Sequence, residues 1–249
     1  MKNLTPREIM AIMAARELRG YRTVLVGVGL PNLSANLAKK IYNPDMVLLY
    51  ESGVINTHPT RLPLSIGDPT LTEWTDAIFS VFDMFAFMIS GNRVDVGFLG
   101  AAQVDVSGNI NTTVIGSYKN PDVRLPGSGG ACEISYSAAV SIVMTELSES
   151  KFRTAVDFIT STARHGQMAE NVKERGVLKL ITDLGIVEFG ASGSTRVGCI
   201  YDISGLGRLR DVFNRLGLAL DDDVSVAESI EDDEILALRQ LDPDHLYIN

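Results

Sequence analysis

The chain has 249 residues, 45% hydrophobic and 21% charged, enough to bury a sizeable core in one large or two small domains. A formal net charge of -9 argues against a nucleic-acid backbone as partner. The two cysteines, Cys132 and Cys199, have neither metal-ligand nor redox spacing and fit a reducing, cytoplasmic setting better than a disulfide scaffold.

The opening MKNLTPREIM lacks the apolar stretch of a signal peptide. Thr5-Pro6-Arg7-Glu8 reads as a capping box with proline at the first helical position. It predicts a helix running to about Arg19 and stopped by Gly20. Residues 21–28 read as a strand, and Gly27-Val28-Gly29-Leu30-Pro31 turns it into a helix over about 33–41. That turn is either a phosphate cradle or a tight turn capped by Asn32 or Ser34. Residues 47–50 form a second strand, short and continuous like one in a parallel sheet. The most apolar window, residues 77–90, is broken by Asp83 and is too short to span a membrane. It reads as core, together with Trp74, Phe79, Phe82, Phe85 and Phe87.

Further strands are predicted at 94–99, 110–114 and 139–144. Three antiparallel strands follow at 178–182, 186–189 and 196–201, then helices near 207–216 and 229–241. The alternation predicts an α/β fold: an open, largely parallel sheet flanked by helices, with a small antiparallel C-terminal part. No Pro-, Gly- or Ser-rich linker divides the chain, so residues 1–249 read as a single domain. The acidic run over 218–236 is either a docking face for a basic partner or a solvated turn and helix start.

Two places carry chemistry. Glu51 follows the apolar run Val47-Leu48-Leu49-Tyr50 and precedes Ser52-Gly53. A carboxylate there is solvated, paired or working, and ends of parallel strands are where α/β folds hold ligands. Gly53 permits close backbone approach. The second place is the loop Gly127-Ser128-Gly129-Gly130. Three glycines in four residues allow positive φ and bare N–H groups that bind an anion or an oxyanion; the alternative is a loose surface loop. Cys132 beside it is a nucleophile or a small packing residue. Asn109 and Asn111 offer amides to a substrate or serve a turn and a strand edge. His58, His165 and His245 lie far apart, and no metal-ligand spacing or G-x-S-x-G elbow occurs.

The stretches GVGLP (27–31), YESGVINTHPTRLPLSIGDP (50–69), GAAQVDVSGNINTTVIG (100–116) and RLPGSGGA (124–131), in that order, resemble the β subunit of family I coenzyme A transferases. The resemblance is greatest to the glutaconate CoA-transferase branch and covers about residues 5–190. It implies that Glu51 is the nucleophile of a ping-pong transfer of CoA between carboxylic acids, through a glutamyl-CoA thioester. It places Gly127, Ser128, Gly129 and Gly130 at the oxyanion or CoA, and Ser52, Gly53, Gln103 and Asn111 in the substrate pocket. CoA is then a substrate, with no metal and no permanently bound cofactor. The implied partner is an α subunit from a separate chain, in a cytoplasmic hetero-oligomer of two α and two β subunits or larger, with no nucleic-acid or membrane partner. An acyl-CoA hydrolase or decarboxylase on the same fold, or a non-catalytic ligand-binding relative, is the alternative. Glu51 favours transfer, since such relatives tend to lose this residue. Arg61 either pairs a distal substrate carboxylate or is structural. Two departures stand out: Asn56 where the family often has Gly, and Thr162-Ala163-Arg164-His165 in place of a longer glycine-rich insertion after Ser161.

Overall fold

The capping box forms as its spacing requires. Thr5 Oγ1 accepts from the Glu8 N–H at 3.2 Å, and the Glu8 carboxylate accepts from the Thr5 N–H at 2.8 Å. Helix α1 (Pro6–Glu17) stops two residues short of the expected end. Its last turn tightens, with the Leu18 and Arg19 N–H groups bonded to Ala15 and Arg16 carbonyls at 3.1 and 3.2 Å. The computed structural model describes residues 4–162, 177–190, 194–220 and 223–249. They group into two units, Met1–Phe98 with Ser229–Asn249, and Leu99–Glu228.

In the first unit, β1 (Thr23–Leu25) and β2 (Val47–Leu49) run parallel, in register from Thr23↔Val47 to Leu25↔Leu49. Between them α2 (Leu30–Ile41) begins three residues earlier than predicted. Gly29 is its N-cap at φ +82°, a backbone that favours glycine. Asn32 and Ser34 therefore do not cap the helix; they lie within its first turns, Ser34 Oγ donating to the Leu30 carbonyl at 2.9 Å. The short β3 (Val54–Ile55) and β4 (Ala77–Ile78) follow antiparallel to β2. A single turn α3 (Val81–Asp83) passes into a π-helical stretch, Met84–Ile89, and β5 (Val96–Leu99) returns parallel to β1. The strand order is β5-β1-β2-β3-β4.

The apolar window at 77–90 is not the core element expected. Only Met84 and Ile89 are fully buried, whereas Ile78, Val81, Phe82 and Phe87 are exposed, and Trp74 before them is 79% exposed. Phe79 is at the edge of exposure and Phe85 is half-buried. The cause is helical pitch: the Ser90 and Arg93 N–H groups bond five residues back, to Phe85 and Met88. That places Met84 and Ile89 on the inner face and turns most aromatic rings outward.

The second unit opens with β6 (Gln103–Asp105), β7 (Asn109–Asn111), β8 (Val114–Gly116) and β9 (Pro121–Arg124). Then come α4 (Ala131–Ser137), β10 (Val140–Met144), β11 (Phe152–Arg153) and β12 (Ser161–Thr162). The antiparallel set β13 (Val177–Ile181), β14 (Gly185–Phe189) and β15 (Thr195–Ile200) appears as expected, and α5 (Leu206–Arg215) follows. β13 pairs parallel with β10. A smaller sheet runs β11-β6-β7-β12, and β8 and β9 form a hairpin. The ring of Phe152 packs on Phe189 and Phe213, with centroids 6.0 and 6.1 Å away. The open, largely parallel α/β sheet flanked by helices, with an antiparallel C-terminal part, is thus the fold.

The chain returns to the first unit as α6 (Asp232–Leu241). Buried Glu234 accepts from Arg16 Nε and Nη2 at 2.7 and 2.6 Å and from the Tyr42 hydroxyl, and Arg239 Nε donates to buried Glu8 at 2.8 Å. These bonds tie α6 to α1 and to the end of α2. Among the described residues no helix is long and apolar enough to cross a membrane. Ala163, Arg164, His165 and the start of the acidic run at Asp221 and Asp222 lie outside the described residues.

Candidate active site

Glu51 sits at the tip of the β2–β3 hairpin. The Tyr50 N–H bonds the Val54 carbonyl at 3.0 Å, and the Gly53 N–H bonds the Tyr50 carbonyl at 2.9 Å. This closes a tight turn with Glu51 and Ser52 at its centre and Gly53 at φ +98°. Gly53 does not leave room for a ligand as expected. A Cβ there would stand 1.9 Å from the Phe79 carbonyl oxygen, and the Phe79 N–H donates to the Gly53 carbonyl at 2.8 Å. The glycine is needed because the neighbouring chain packs on it.

The Glu51 carboxylate has no hydrogen bond or ion pair among the described residues. It is half-buried, and burial pushes its carboxyl above the usual carboxylate range. The Ser52 hydroxyl next to it is buried and also without a partner. Tyr50, before it, is fully buried, and burial pushes its phenol up to about 12. An unpaired carboxylate held on a hydrogen-bonded turn is available to attack an electrophile or to accept a proton.

Asn56, three residues past the turn, has φ +55°. Asparagine tolerates this region better than other non-glycine residues, which explains how it stands where the family often has glycine. Arg61 is engaged by Asp68 through Nη1 at 2.8 Å and Nη2 at 3.2 Å. The guanidinium, with the Leu64 and Thr70 N–H groups, holds the buried Asp68 carboxyl well below the usual range. Asp68 in turn caps the short helix at Pro69–Thr72, so the structural reading of Arg61 prevails.

In the second unit, Gly127 and Gly129 take φ +101° and +48°, with open space where a side chain would stand. The N–H groups of Ser128, Gly129 and Gly130 find no acceptor among the described residues. The loop is anchored: the Gly127 N–H bonds the Thr112 carbonyl at 2.9 Å, and Thr112 Oγ1 donates to the Gly127 carbonyl at 2.7 Å. Bare amides on a fixed loop form an anion nest.

Gln103 and Asn111 meet each other. Asn111 Nδ2 donates to Gln103 Oε1 at 2.7 Å and to the Val114 carbonyl at 2.6 Å, while Gln103 Nε2 donates to Asp157 at 2.9 Å. Asp157, which sequence reasoning missed, also accepts from the Gly116 N–H at 3.0 Å. That bond, with Gln103, keeps its carboxyl below the usual range. Asn109 serves the β6–β7 turn, its Nδ2 bonded to Asp105 at 3.0 Å. The Cys132 thiol, though exposed, donates to the Thr160 carbonyl at 3.0 Å, an anchoring contact for α4.

A parallel α/β sheet, a reactive carboxylate at a strand end and a glycine nest define an acyl-transfer class of protein. The coenzyme A transferase family matches residues 7–197, and the chain belongs to that family. It is 47% identical over 193 residues to the B chain of the 3-oxoadipate CoA-transferase of Pseudomonas knackmussii, covering 76% of this chain and 74% of that one. It is 30% identical over 261 residues to the B chain of the glutaconate CoA-transferase of Acidaminococcus fermentans, covering 99% and 96%. The crystal structure of glutaconate coenzyme A-transferase from A. fermentans superposes with a TM-score of 0.85 at 29% identity, over 99% of this chain and 98% of that one.

Proposed function

We propose that this chain is the nucleophile-bearing β subunit of a heteromeric acyl-CoA:carboxylate CoA-transferase. The observation that carries the reading is the unpaired, half-buried Glu51 carboxylate at the hairpin tip. In this reading Glu51 Oε attacks the thioester carbonyl and expels CoA thiolate, leaving an acyl–glutamyl anhydride. The thiolate then attacks the glutamyl carbonyl, the acyl carboxylate departs, and a glutamyl-CoA thioester remains. An acceptor carboxylate takes the CoA by the same steps reversed. No electrons are exchanged, and CoA is a substrate, so the chemistry as written requires no permanent cofactor.

A carboxylate is a weak nucleophile in water. Partial burial of Glu51 strips away part of its hydration, and binding contributes proximity of up to roughly 7–11 kcal/mol. We assign the bare amides of Ser128, Gly129 and Gly130 to an oxyanion or to CoA; an oxyanion donor contributes about 2.7–4 kcal/mol. Gly127 shapes that loop. Ser52 is assigned to the pocket through its unpartnered hydroxyl, and Gly53 to the turn itself. Gln103 and Asn111 are assigned to the pocket wall; for Asn111 to reach a substrate it would have to release Gln103 or the Val114 carbonyl.

Both relatives are named as one of two kinds of subunit, which supports a separate α subunit as partner. The exposed Trp74, Phe82 and Phe87 also support a partner chain, since large exposed apolar surfaces mark interaction sites. We read residues 1–249 as one subunit domain in a cytoplasmic hetero-oligomer of two α and two β subunits or larger. The relatives' names point to dicarboxylic or 3-oxo acids as the acyl class. Initial-rate kinetics of the assembled complex tests the reading: parallel double-reciprocal lines with an acyl-CoA and an acceptor acid support ping-pong transfer. Thioester loss independent of any acceptor acid would point instead to a hydrolase.

A further inference from the structure

Asn56 joins two charged groups from different parts of the first unit. Its Oδ1 accepts from Lys39 Nζ, on α2, and its Nδ2 donates to Asp76 Oδ2 at 2.6 Å, just before β4. Only one orientation of the amide suits both neighbours. A flip would turn its NH2 toward the ammonium and its oxygen toward the carboxylate. Both bonds have one ionised partner, which makes them the stronger kind. Burial pulls the Lys39 ammonium below its usual pKa and Asp76 opposes that, so the three groups depend on one another.

The backbone makes the same residue a fixed point. The Asn56 N–H bonds the Leu48 carbonyl at 2.7 Å, locking it to β2. The Asp76 N–H and Thr75 Oγ1 bond the Ile55 carbonyl, at 3.1 and 2.6 Å. Strand β3 holds only two residues, so the turn bearing Glu51 has little else to fix its far side. Lys39, Asn56 and Asp76 make no hydrogen bond or ion pair with Glu51 among the described residues.

We propose that Asn56 is a positioning residue for Glu51: its left-handed backbone and its Lys39–Asn56–Asp76 bridge fix the β2–β3 hairpin against α2 and the start of β4, and so set where the carboxylate stands. This rests on the reading of Glu51 as the nucleophile. A misplacement of about 1 Å at a reacting group costs about 10²-fold in rate. Loss of the bridge should therefore lower kcat and leave KM nearly unchanged.

The test uses the chain co-purified with its partner subunit. The donor is whichever of succinyl-CoA, glutaconyl-CoA and 3-oxoadipyl-CoA charges the wild type fastest. Asn56→Gly keeps the backbone and deletes the bridge; we expect kcat and the rate of CoA-adduct formation to fall together by about 10–100-fold, with KM within about twofold. Asn56→Asp sets two carboxylates face to face and should fall at least as far. Adding Asp76→Asn to it restores the hydrogen bond with reversed polarity, with Lys39 still satisfied, and should recover most of kcat. Normal kcat in folded Asn56→Gly, or failure of the double variant to recover while melting like the wild type, would overturn the proposal and leave the nucleophile reading intact. Turnover persisting in Glu51→Gln, or no donor charging the wild type, would remove that reading and the proposal with it. Should Asn56→Gly fail to fold, Lys39→Met, which removes the other end of the bridge, carries the same expectation.

Discussion

The Tyr50 hydroxyl donates to Asn32 Oδ1 at 2.8 Å, joining the residue before Glu51 to the first turn of α2. Both residues are fully buried. Asn32 Oδ1 also accepts from Asn36 Nδ2 at 2.9 Å, while the Asn32 Nδ2 group finds no partner. The bond pins the end of β2 from within the helix. Tyr50→Phe keeps the ring and removes the donor, so urea denaturation should show a loss of about 1 kcal/mol with an unchanged slope.

Glu51→Gln should abolish CoA transfer and stabilise the fold. A carboxyl raised in the folded state binds its proton more tightly there than in the unfolded chain, so ionising it costs stability. That cost is absent below the unfolded-chain pKa, grows as pH rises through the interval up to the folded value, and is complete above it. The variant should melt above the wild type at about pH 7, and the two should converge near about pH 3. Thermal melts at both pH values check the sign; a variant that melts lower at neutral pH contradicts it.

Gly53→Ala tests the turn. An alanine at φ +98° is strained by roughly 1–2 kcal/mol, and its Cβ must also displace the Phe79 carbonyl. Denaturation should show at least that loss. Adduct formation on Glu51 should slow beyond what the unfolded fraction explains.

Met84 and Phe82 lie two residues apart with opposite exposures, 0% and 75%. Met84→Ala should cost about 2–5 kcal/mol in the isolated chain. Phe82→Ser should change its stability by no more than about 0.5 kcal/mol, yet weaken co-purification with the partner subunit. Analytical ultracentrifugation of the mixed chains separates the two effects.

Local chemistry made much of this legible. The capping box, the continuous run before Glu51 and the glycines at 127 and 129 act over a few residues, and each sits in the conformation its composition favours. What depends on pairing across the chain was hidden. Gln103, Asn111 and Asp157 look like independent polar residues until the fold brings them together. Asn56 betrays neither its positive φ nor its bridge, because Lys39 and Asp76 stand 17 and 20 residues away. The aromatic window misled because hydrophobicity alone does not reveal a π-helical pitch. β3, β4, β11 and β12 have two residues each, too few for any period to show.

The central claim is that Glu51 becomes covalently charged. Intact-protein mass spectrometry of the complex after incubation with acyl-CoA, with Glu51→Gln as control, tests it directly. The account predicts a CoA adduct mapped to Glu51 that vanishes when an acceptor acid is added and never forms on Glu51→Gln. Turnover by an assembled complex with no adduct on Glu51, or an adduct on Glu51→Gln, would contradict it.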